Sequence, residues 1–330
     1  MLTQTMNRIC YCFIIFSCFF FFSCDLQIQS NSTGKSLEVI LIKGENCSGG
    51  AFEIFQKNFI SPQKPILETE IYGEQKNFFR LIPILEKDFN SIFRTHKNIV
   101  FVNFGDKFNI QKKKDLWAKN QNVYICSIDS SKISNHNQII NFANVVGEKM
   151  KESEIIKRKK NYQRSTNSNI KNYLQKKHNL SISLPSRFFI ADSSVSCLNL
   201  RGDTKLSSQR ILVSSFNLEP TIDNIILEQN RIAKNNISSS NEDSHLVVEK
   251  RTSLYIDTLT ENNQKKIIIK GLWRMEGDFM GGSFLTTLIV NTKNKKNTLV
   301  SLYLYAPGEN KANYLLDLEA ILKSAQYINS

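Results

Sequence analysis

The chain has 330 residues, of which 41% are hydrophobic and 10% aromatic, with only 6 prolines and 13 glycines. This composition excludes a disordered or collagen-like chain and supplies enough apolar surface for one large or two moderate domains. The formal net charge of +13 suggests a polyanionic partner, but the basic residues are spread along the whole chain. The densest runs, 112–114 and 157–160, lack the interleaved aromatic side chains on which bases stack, so no nucleic-acid partner is expected.

Residues 1–23 are interpreted as a lipoprotein signal peptide. Arg8 precedes an apolar stretch over 9–22, which is shorter than the ~20 residues that a bilayer-spanning helix needs. The stretch ends at Ser23-Cys24-Asp25, so cleavage before Cys24 would leave this cysteine to carry the lipid. The alternatives are cleavage before Cys18, an uncleaved segment and an ordinary secretion signal.

Lipidation of Cys24 predicts a membrane-anchored protein of the cell envelope, because two or more acyl chains give stable anchoring. Residues 24–36 are polar and are expected to form a tether. We expect the protein at the outer membrane, facing the periplasm, although an aspartate at the position of Asp25 retains lipoproteins in the inner membrane of enteric bacteria. Binding of lipopolysaccharide or phospholipid by the basic helix region is an alternative that the scattered charge disfavours.

Cleavage and lipidation would leave three of the 7 cysteines, which allow at most one disulfide bond. They are Cys47, Cys126 and Cys197. Cys126 lies in the apolar run 123–128, so an inert core thiol is expected there. No histidine or cysteine pair has the spacing of metal ligands, and no metal or cofactor is expected.

Residues 37–180 are predicted to form an N-terminal half of alternating strands and helices. Strands are expected at 37–42, 78–84, 99–104 and 123–128, and short helices at 88–93 and 113–118. Apolar residues then recur at helical spacing over 134–178. This pattern predicts one long helix, or two in tandem, with a basic outer face.

Residues 181–330 are predicted to form a C-terminal half in which hairpin-linked strands dominate. The strands are expected at 188–191, 195–200, 210–216, 246–249, 267–275, 284–290 and 298–305. Helices are predicted at 221–233 and 311–327, and a polar loop at 235–244. We therefore predict an α+β fold of helix-covered mixed and antiparallel sheets in two halves, joined by the long basic helix.

Paired glycines mark a candidate binding site in the C-terminal half. They permit a bulge or a positive φ and bring backbone amides close to a ligand, with Trp273 as a stacking wall and Asp278 as an acceptor. The candidate binding residues are Trp273, Asp278, Met280, Gly281 and Gly282. In the alternative, which we favour, the glycines shape a hairpin, and Trp273, Phe279 and Met280 pack beneath it.

Three segments together resemble a known family. They are 117–123 (WAKNQNV), 271–284 (GLWRMEGDFMGGSF), and 305–307 (YAP) with 318–322 (LEAIL). Their order and spacing are similar to those of Bacteroidetes envelope lipoproteins grouped as domain-of-unknown-function family 4837, over nearly the whole mature chain. The resemblance implies localisation and the extent of the fold, but no reaction. The chain departs from the family pattern at Lys270, Ser283 and Ala312, which puts any ligand-binding role of those positions in doubt here.

Signatures of catalysis are mostly missing. The 4 histidines stand singly, and neither a Gly-x-Ser-x-Gly elbow nor a phosphate-binding loop occurs. Carboxylates that could pair only in space include Asp192, Asp203, Asp223 and Glu319. Glu319 is expected to pair with Lys323 on a solvated helix face. An enzyme is therefore the less favoured interpretation.

Our leading hypothesis is a non-catalytic, lipid-anchored binding or assembly factor with a protein partner in the envelope. The alternative is an envelope hydrolase with an unfamiliar active site. Two acids, or a Ser/His/Asp set, lining one apolar cleft would favour the hydrolase. Placement of the two basic runs on one face would favour lipid or lipopolysaccharide binding.

Overall fold

The structure is a computed structural model. It describes residues 29–47, 49–59, 78–194, 196–237, 243–261, 264–290 and 297–328. The predicted signal peptide, Cys24 and the first part of the predicted tether lie outside these residues. Within the described ranges, no helix combines the length and the apolar character needed to cross a bilayer.

The N-terminal half is built on a five-stranded mixed sheet. Its strands are β1 (Glu38–Lys43), β2 (Arg80–Leu85), β3 (Asn98–Gly105), β4 (Asn109–Lys114) and β5 (Asn122–Asp129). They lie in the order β2-β1-β3-β5-β4, and only β4, at one edge, runs antiparallel to its neighbour. The four central positions of β1 are all buried, as expected for an inner strand of a parallel sheet that is covered on both faces.

Six helices are found in the described residues. They are α1 (Gly49–Phe59), α2 (Ser91–Arg94), α3 (His136–Ser165), α4 (Ser168–His178), α5 (Ile222–Asn236) and α6 (Ala312–Ser324). The helices α1, α3 and α6 pack on one face of the first sheet and share its core. The opposite face carries a smaller core that includes Phe89, Phe101 and Trp117, whose rings contact one another.

The C-terminal half is built on an eight-stranded antiparallel sheet. Its strands are β7 (Phe189–Ser193), β8 (Cys197–Arg201), β9 (Ser208–Phe216), β10 (His245–Val248), β11 (Tyr255–Glu261), β12 (Gln264–Glu276), β13 (Gly281–Val290) and β14 (Asn297–Tyr305). They lie in the order β10-β12-β13-β14-β9-β8-β7, and β11 pairs with the first part of β12. A separate two-stranded sheet joins β6 (Leu180–Ser181) to β15 (Gln326–Tyr327).

Helices cover both faces of this second sheet, so its central strands are apolar at successive positions. Ile268 and Leu285 face the core that α6 completes, whereas the adjacent Ile269 and Phe284 belong to the core on the α5 side. Side chains on a strand alternate between the two faces, which explains why neighbours in sequence enter different cores. The helix α6 therefore lies between the two sheets.

A polar cluster around Asp317 of α6 ties the halves together. The Asp317 carboxylate accepts hydrogen bonds from Arg158 and Tyr162 of α3, and from Arg187 at 3.0 Å. Arg158 also donates to the backbone oxygen of Asn313 at 2.8 Å. Burial and the neighbouring Asp317 carboxylate raise the pKa of Tyr162, so this phenol stays protonated and donates.

The predicted α+β class is confirmed, and the helical stretch is two helices in tandem. The break falls at Thr166, which is extended, and the Asn167 side chain caps the second helix by accepting from the Asn169 amide. The helix predicted at 113–118 is wrong, because residues Asn109–Lys114 form the edge strand β4. The helix α1 and the strand β11 were not predicted.

Candidate functional site

The candidate block forms the β12–β13 hairpin. Gly281 and Gly282 pair with Arg274 and Trp273 across it. A Cβ atom added to Gly282 would lie 2.0 Å from the Leu304 carbonyl oxygen, so only glycine fits at this position. Gly282 thus allows β13 to approach β14 closely, whereas a Cβ atom on Gly281 would lie 3.1 Å from the Trp273 carbonyl oxygen on β12.

Trp273 lies beneath the hairpin. Its side chain is buried in the core on the α5 side, its indole N–H donates to the Leu304 carbonyl oxygen at 3.2 Å, and its ring lies 6.3 Å from that of Tyr305. A buried indole whose N–H is satisfied holds the base of the hairpin in one position. Trp273 is therefore a packed core side chain and not an exposed surface on which a ligand could stack.

At the tip of the hairpin, not every residue that was expected to pack beneath it does so. Phe279 is 107% exposed, so the expectation that it packs beneath the hairpin is wrong. Asp278 accepts a hydrogen bond from the Phe279 amide at 2.6 Å and so holds the turn. Met280 is half-buried against the core on the α5 side. The Phe279 side chain thus lies in solvent at the tip of the hairpin, while its neighbour Met280 packs inward.

All five candidate binding residues line one cleft of about 500 Å³. Its wall also carries Glu249, a buried carboxylate. Arg251 donates to Glu249 from Nε at 3.0 Å and from a terminal nitrogen at 2.5 Å, and Arg274 Nε lies 3.8 Å away. The hydrogen bonds from Arg251 lower the pKa of Glu249 to about 2. The Glu249 carboxylate thus holds the guanidinium groups of Arg251 and Arg274 at the wall of the cleft.

A second cavity, of about 540 Å³, lies between the halves and was not predicted. At its wall, Lys151 of α3 and Lys270 of β12 both contact the same oxygen, Oε1, of Glu319 on α6, at 2.9 and 3.1 Å. The side chains of Lys151, Lys270 and Glu319 are only 7%, 14% and 5% exposed. Each ammonium also lies over an aromatic ring, Lys151 over Phe78 at 5.7 Å and Lys270 over Tyr255 at 5.3 Å.

The charged groups of Lys151, Lys270 and Glu319 shift the pKa values within this cluster. Burial alone would raise the pKa of Glu319, but the two ammonium groups outweigh it and hold the pKa below its ordinary value. Burial lowers the pKa of Lys270, and the neighbouring Lys151 ammonium adds to that effect. Glu319 is therefore an ionised carboxylate and not a protonated general acid.

The predicted pair between Glu319 and Lys323 is wrong, because Lys323 pairs with Glu152 of α3. Two sequence signals could have indicated the buried trio. Glu319 lies on the apolar stripe of its helix, four residues after Leu315, and Lys270 is the one charged residue in the stretch from Ile267 to Trp273. A charged side chain at a core position needs a partner of opposite charge.

Other predicted candidates stay apart from these two cavities. Asp203 pairs with Arg201, and Asp192 accepts from the Ser193 amide at 2.8 Å. In the described ranges, no three His, Cys, Asp or Glu side chains are grouped so that they could hold a metal ion. Cys47, Cys126 and Cys197 are buried and are not bridged to one another, and burial raises the pKa of Cys47 and Cys197 to about 11 and also raises that of Cys126.

The basic runs divide between different contacts. Lys112 on β4 donates to Ser153 of α3. In the second run, Arg158 pairs with Asp317, and Lys159 donates to the Lys323 carbonyl oxygen at 3.2 Å. Lys112, Arg158 and Lys159 thus serve contacts within the protein.

Two family models match the chain. Residues 167–324 match a domain of unknown function, DUF4837. The predicted resemblance to that family is confirmed for these residues. Residues 32–163 match a different domain of unknown function, DUF8532, so the first family's match does not extend over nearly the whole mature chain, and segment 117–123 falls under the other model.

Solved structures show only a distant likeness to part of the chain. The Ran-binding protein Mog1p of Saccharomyces cerevisiae is 9% identical, with a TM-score of 0.31 over 46% of this chain and 90% of its own. A Bacteroides thetaiotaomicron protein is 11% identical, with a TM-score of 0.25 over 47% of each chain. The human StarD13 lipid transfer and protein localization domain is 10% identical, with a TM-score of 0.22 over 49% of this chain and 98% of its own. No curated protein matches the sequence.

Proposed function

We propose that the chain is a non-catalytic accessory protein of the cell envelope that binds a protein partner with the tip of the β12–β13 hairpin. The observation that carries this proposal is the full exposure of Phe279, at 107%. The next most exposed large apolar side chain in the described residues, Ile92, reaches 76%. A large aromatic side chain beside arginines has the composition of a binding hot spot.

The base of the hairpin supports such a role because it is rigid. The indole of Trp273 is tied to the Leu304 carbonyl oxygen, and Gly282 lets β13 lie against that same group. The Asp278 side chain fixes the turn that carries Phe279. A contact residue held on a fixed turn loses less conformational entropy on binding than one on a loose loop.

The charges near the tip describe the expected partner. Arg251 and Arg274 are partly exposed on the cleft that adjoins Phe279, and Lys311 lines the same cleft. Among the residues that line the cleft, these three cations outnumber the carboxylates of Glu249 and Asp278, and Arg274 also pairs with Glu276 at 3.1 Å. We expect a partner surface with an apolar socket for the phenyl ring and an acidic rim, since opposite charges raise association rates and orient the two surfaces.

The hydrolase alternative has less support. The carboxylates that do line one cavity are Glu148, Glu152, Asp257 and Glu319. Glu152 is paired with Lys323, and the pKa of Glu319 is lowered. Hydrolysis by paired acids needs one carboxyl whose pKa is raised so that it can donate a proton. The ionised state of Glu319 is the opposite of that requirement.

The partner can be tested by crosslinking in intact cells, capture through a C-terminal tag and mass spectrometry. We expect Phe279→Ser to lose one envelope protein that the unchanged chain recovers in stoichiometric amount. Ile92→Ser, which removes an exposed apolar side chain from α2, is the matched control and should keep it. Equal recovery with both variants, or recovery of lipid and glycan fragments alone, would contradict the proposal.

We further propose, as a separate part, that the chain is anchored by a lipid on Cys24 and lies at the outer membrane. Metabolic labelling with palmitate should mark the unchanged chain and Cys18→Ala, but not Cys24→Ala. Labelling that persists in Cys24→Ala and disappears in Cys18→Ala would move the lipid to the alternative site.

A further inference from the structure

Residues 30–33, in the second part of the predicted tether, are bound to one end of the first sheet. They exchange backbone hydrogen bonds of 2.8 to 2.9 Å with Lys119 on one side, and with Thr95 and Lys97 on the other. The segment that is free to act as a tether is therefore shorter than 24–36, because these residues belong to the body of the first half.

The two stretches that hold residues 30–33 are fixed to each other. The side-chain amide of the buried Gln121 donates to the carbonyl oxygens of Arg94 and His96, at 2.6 and 2.7 Å. Its side-chain oxygen accepts from the Trp117 amide at 3.0 Å. These bonds lie beside the first residues of β3 and β5. The point at which the chain leaves the body is therefore a fixed point on the first sheet.

The distance from the proposed lipid to this point is bounded by the covalent chain. Six residues, 25–30, lead from Cys24 to the first bound carbonyl group, that of Ser30. An extended chain spans at most about 3.6 Å per residue, so Ser30 lies within about 22 Å of Cys24 in any conformation. A lipid on Cys24 would therefore hold this end of the first sheet close to the membrane surface. We call it the anchor-proximal end, and it comprises 29–38, 94–98 and 113–122.

The anchor-proximal end has an excess of positive charge. Its residues include six cations and two carboxylates, Glu38 and Asp115. Glu38 already has a partner in Arg80, at 3.5 Å. Next to this end, α3 adds Lys157 and the buried Glu154, which are one charge of each sign. The six cations, all exposed except the half-buried Lys97, are Lys35, Arg94, Lys97, Lys113, Lys114 and Lys119.

We propose that the anchor-proximal end faces the membrane and that its cations bind the phosphate groups of anionic phospholipids. The proposal rests on the lipid at Cys24, which is part of the proposed function. A short covalent link gives the membrane surface a high effective concentration at this end, so contacts that are weak singly become significant together. Each cation near an anionic membrane adds about fivefold to the affinity. Attachment at a fixed point, with these contacts around it, gives the protein one orientation on the membrane.

Lysine acetylation followed by mass spectrometry tests which end faces the membrane. The mature chain, beginning at Cys24, is coupled through that thiol to a maleimide lipid and bound to vesicles of phosphatidylethanolamine and phosphatidylglycerol. Its other cysteines are buried, so coupling is selective. We expect acetylation of Lys114 and Lys119 to slow at least threefold relative to the uncoupled chain in buffer. The exposed Lys205 and Lys265 of the second half should keep their rates. Unchanged rates at Lys114 and Lys119, or equal slowing at all four lysines, would overturn the proposal.

Sedimentation of the uncoupled chain with the same vesicles tests the charges themselves. Lys114→Glu combined with Lys119→Glu should weaken binding at least tenfold, since two favourable cations are lost. Lys205→Glu combined with Lys265→Glu makes the same change in net charge and should bind within about twofold of the unchanged chain. Equal weakening by the two pairs would contradict a localised surface. Equal binding of the unchanged chain to vesicles of phosphatidylcholine alone would contradict recognition of anionic lipid.

Failure of this proposal and failure of the proposed anchor give different results. The coupled lipid replaces the one expected in cells, so the acetylation pattern does not depend on whether the cell modifies Cys24. Absence of palmitate labelling would refute the anchor, whereas normal labelling with unprotected Lys114 and Lys119 would refute only the orientation. The acetylation pattern needs no variant, so a folding defect in a charge-reversed chain leaves the proposal testable.

Discussion

Two buried carboxylates show how single residues depart from their usual behaviour in this protein. Glu249 and Glu319 are both nearly inaccessible, yet both are ionised because cations contact them directly. Glu249 is neutralised mainly by the largely exposed Arg251, whereas Glu319 depends on two buried lysines. The first pair is therefore open to solvent and salt, and the second is shielded from both.

Glu249 predicts a pH dependence of stability. Its pKa in the folded protein is lowered from 4.5 to about 2, so its contribution is complete above pH 4.5 and is lost as the pH falls through about 2. Glu249→Gln should lower the unfolding free energy at neutral pH by on the order of 1–2 kcal/mol, since solvent screens the exposed Arg251. The difference in unfolding free energy between Glu249→Gln and the unchanged chain should close near pH 2.

Urea unfolding at a series of pH values measures this gap. Glu53→Gln, which changes an exposed carboxylate on α1, is the control and should follow the unchanged chain throughout. A deficit of Glu249→Gln that is the same at every pH would show that packing, and not charge, accounts for it.

At the scale of elements, sequence patterns predicted most strands of the second sheet and the tandem helices. Their long apolar runs and helical spacing are strong signals, and only the boundaries moved by a few residues. The sequence predicts a helix near the strand β4 because the run of three lysines, 112–114, shows no apolar alternation. Its partner β5 supplies the pairing, and charged residues suit an exposed edge.

Sequence patterns indicated only part of the two candidate sites. The hairpin residues 273–282 are contiguous, so the sequence brings them together by itself. Lys151, Lys270 and Glu319 come from three separate elements, and nothing local indicates that they meet. Only the placement of Lys270 and Glu319 at apolar positions indicates burial, and it does not identify their partner.

The β12–β13 hairpin depends on glycine at one position. In Gly282→Ala, the new Cβ would meet the Leu304 carbonyl oxygen at 2.0 Å, so the strands must separate or the Trp273 hydrogen bond must break. We expect a loss of about 1–3 kcal/mol in unfolding free energy or more. Gly50→Ala is the matched control, since nothing lies within 4 Å of its new Cβ, and alanine favours the helix α1 there. Equal midpoints of thermal unfolding for the two variants would contradict the close approach.

At the scale of the whole molecule, α6 belongs to both halves. Its residues Ala312, Leu316 and Ala320 complete the core of the first half. Its residues Leu315, Leu318 and Ile321 complete a core of the second half. The two family matches meet between residues 163 and 167, but the packing does not divide there.

Shared packing of this kind can be measured with the buried cysteines. Leu316→Ala should lower the unfolding free energy by about 2–5 kcal/mol and speed the alkylation of Cys47 and Cys126 in the first half. Leu318→Ala removes the same side chain from the core of the second half and is the control. Mass spectrometry of the alkylated peptides reports each thiol separately. Equal alkylation of Cys126 in the two variants would show that α6 does not support the first half selectively.

Because α6 follows the rest of the first half by a long stretch of sequence, its position also affects folding during synthesis. Synthesis of Leu316 follows the end of α3 by about 150 residues, which at ~5–20 residues per second is a delay of about 8–30 s. Throughout that delay, the apolar surface that Ala312, Leu316 and Ala320 cover in the folded protein lacks that cover. We expect a chaperone to be recruited to it. Selective ribosome profiling should find chaperone occupancy that persists through the codons of α6, and occupancy that ends near codon 165 would contradict this expectation.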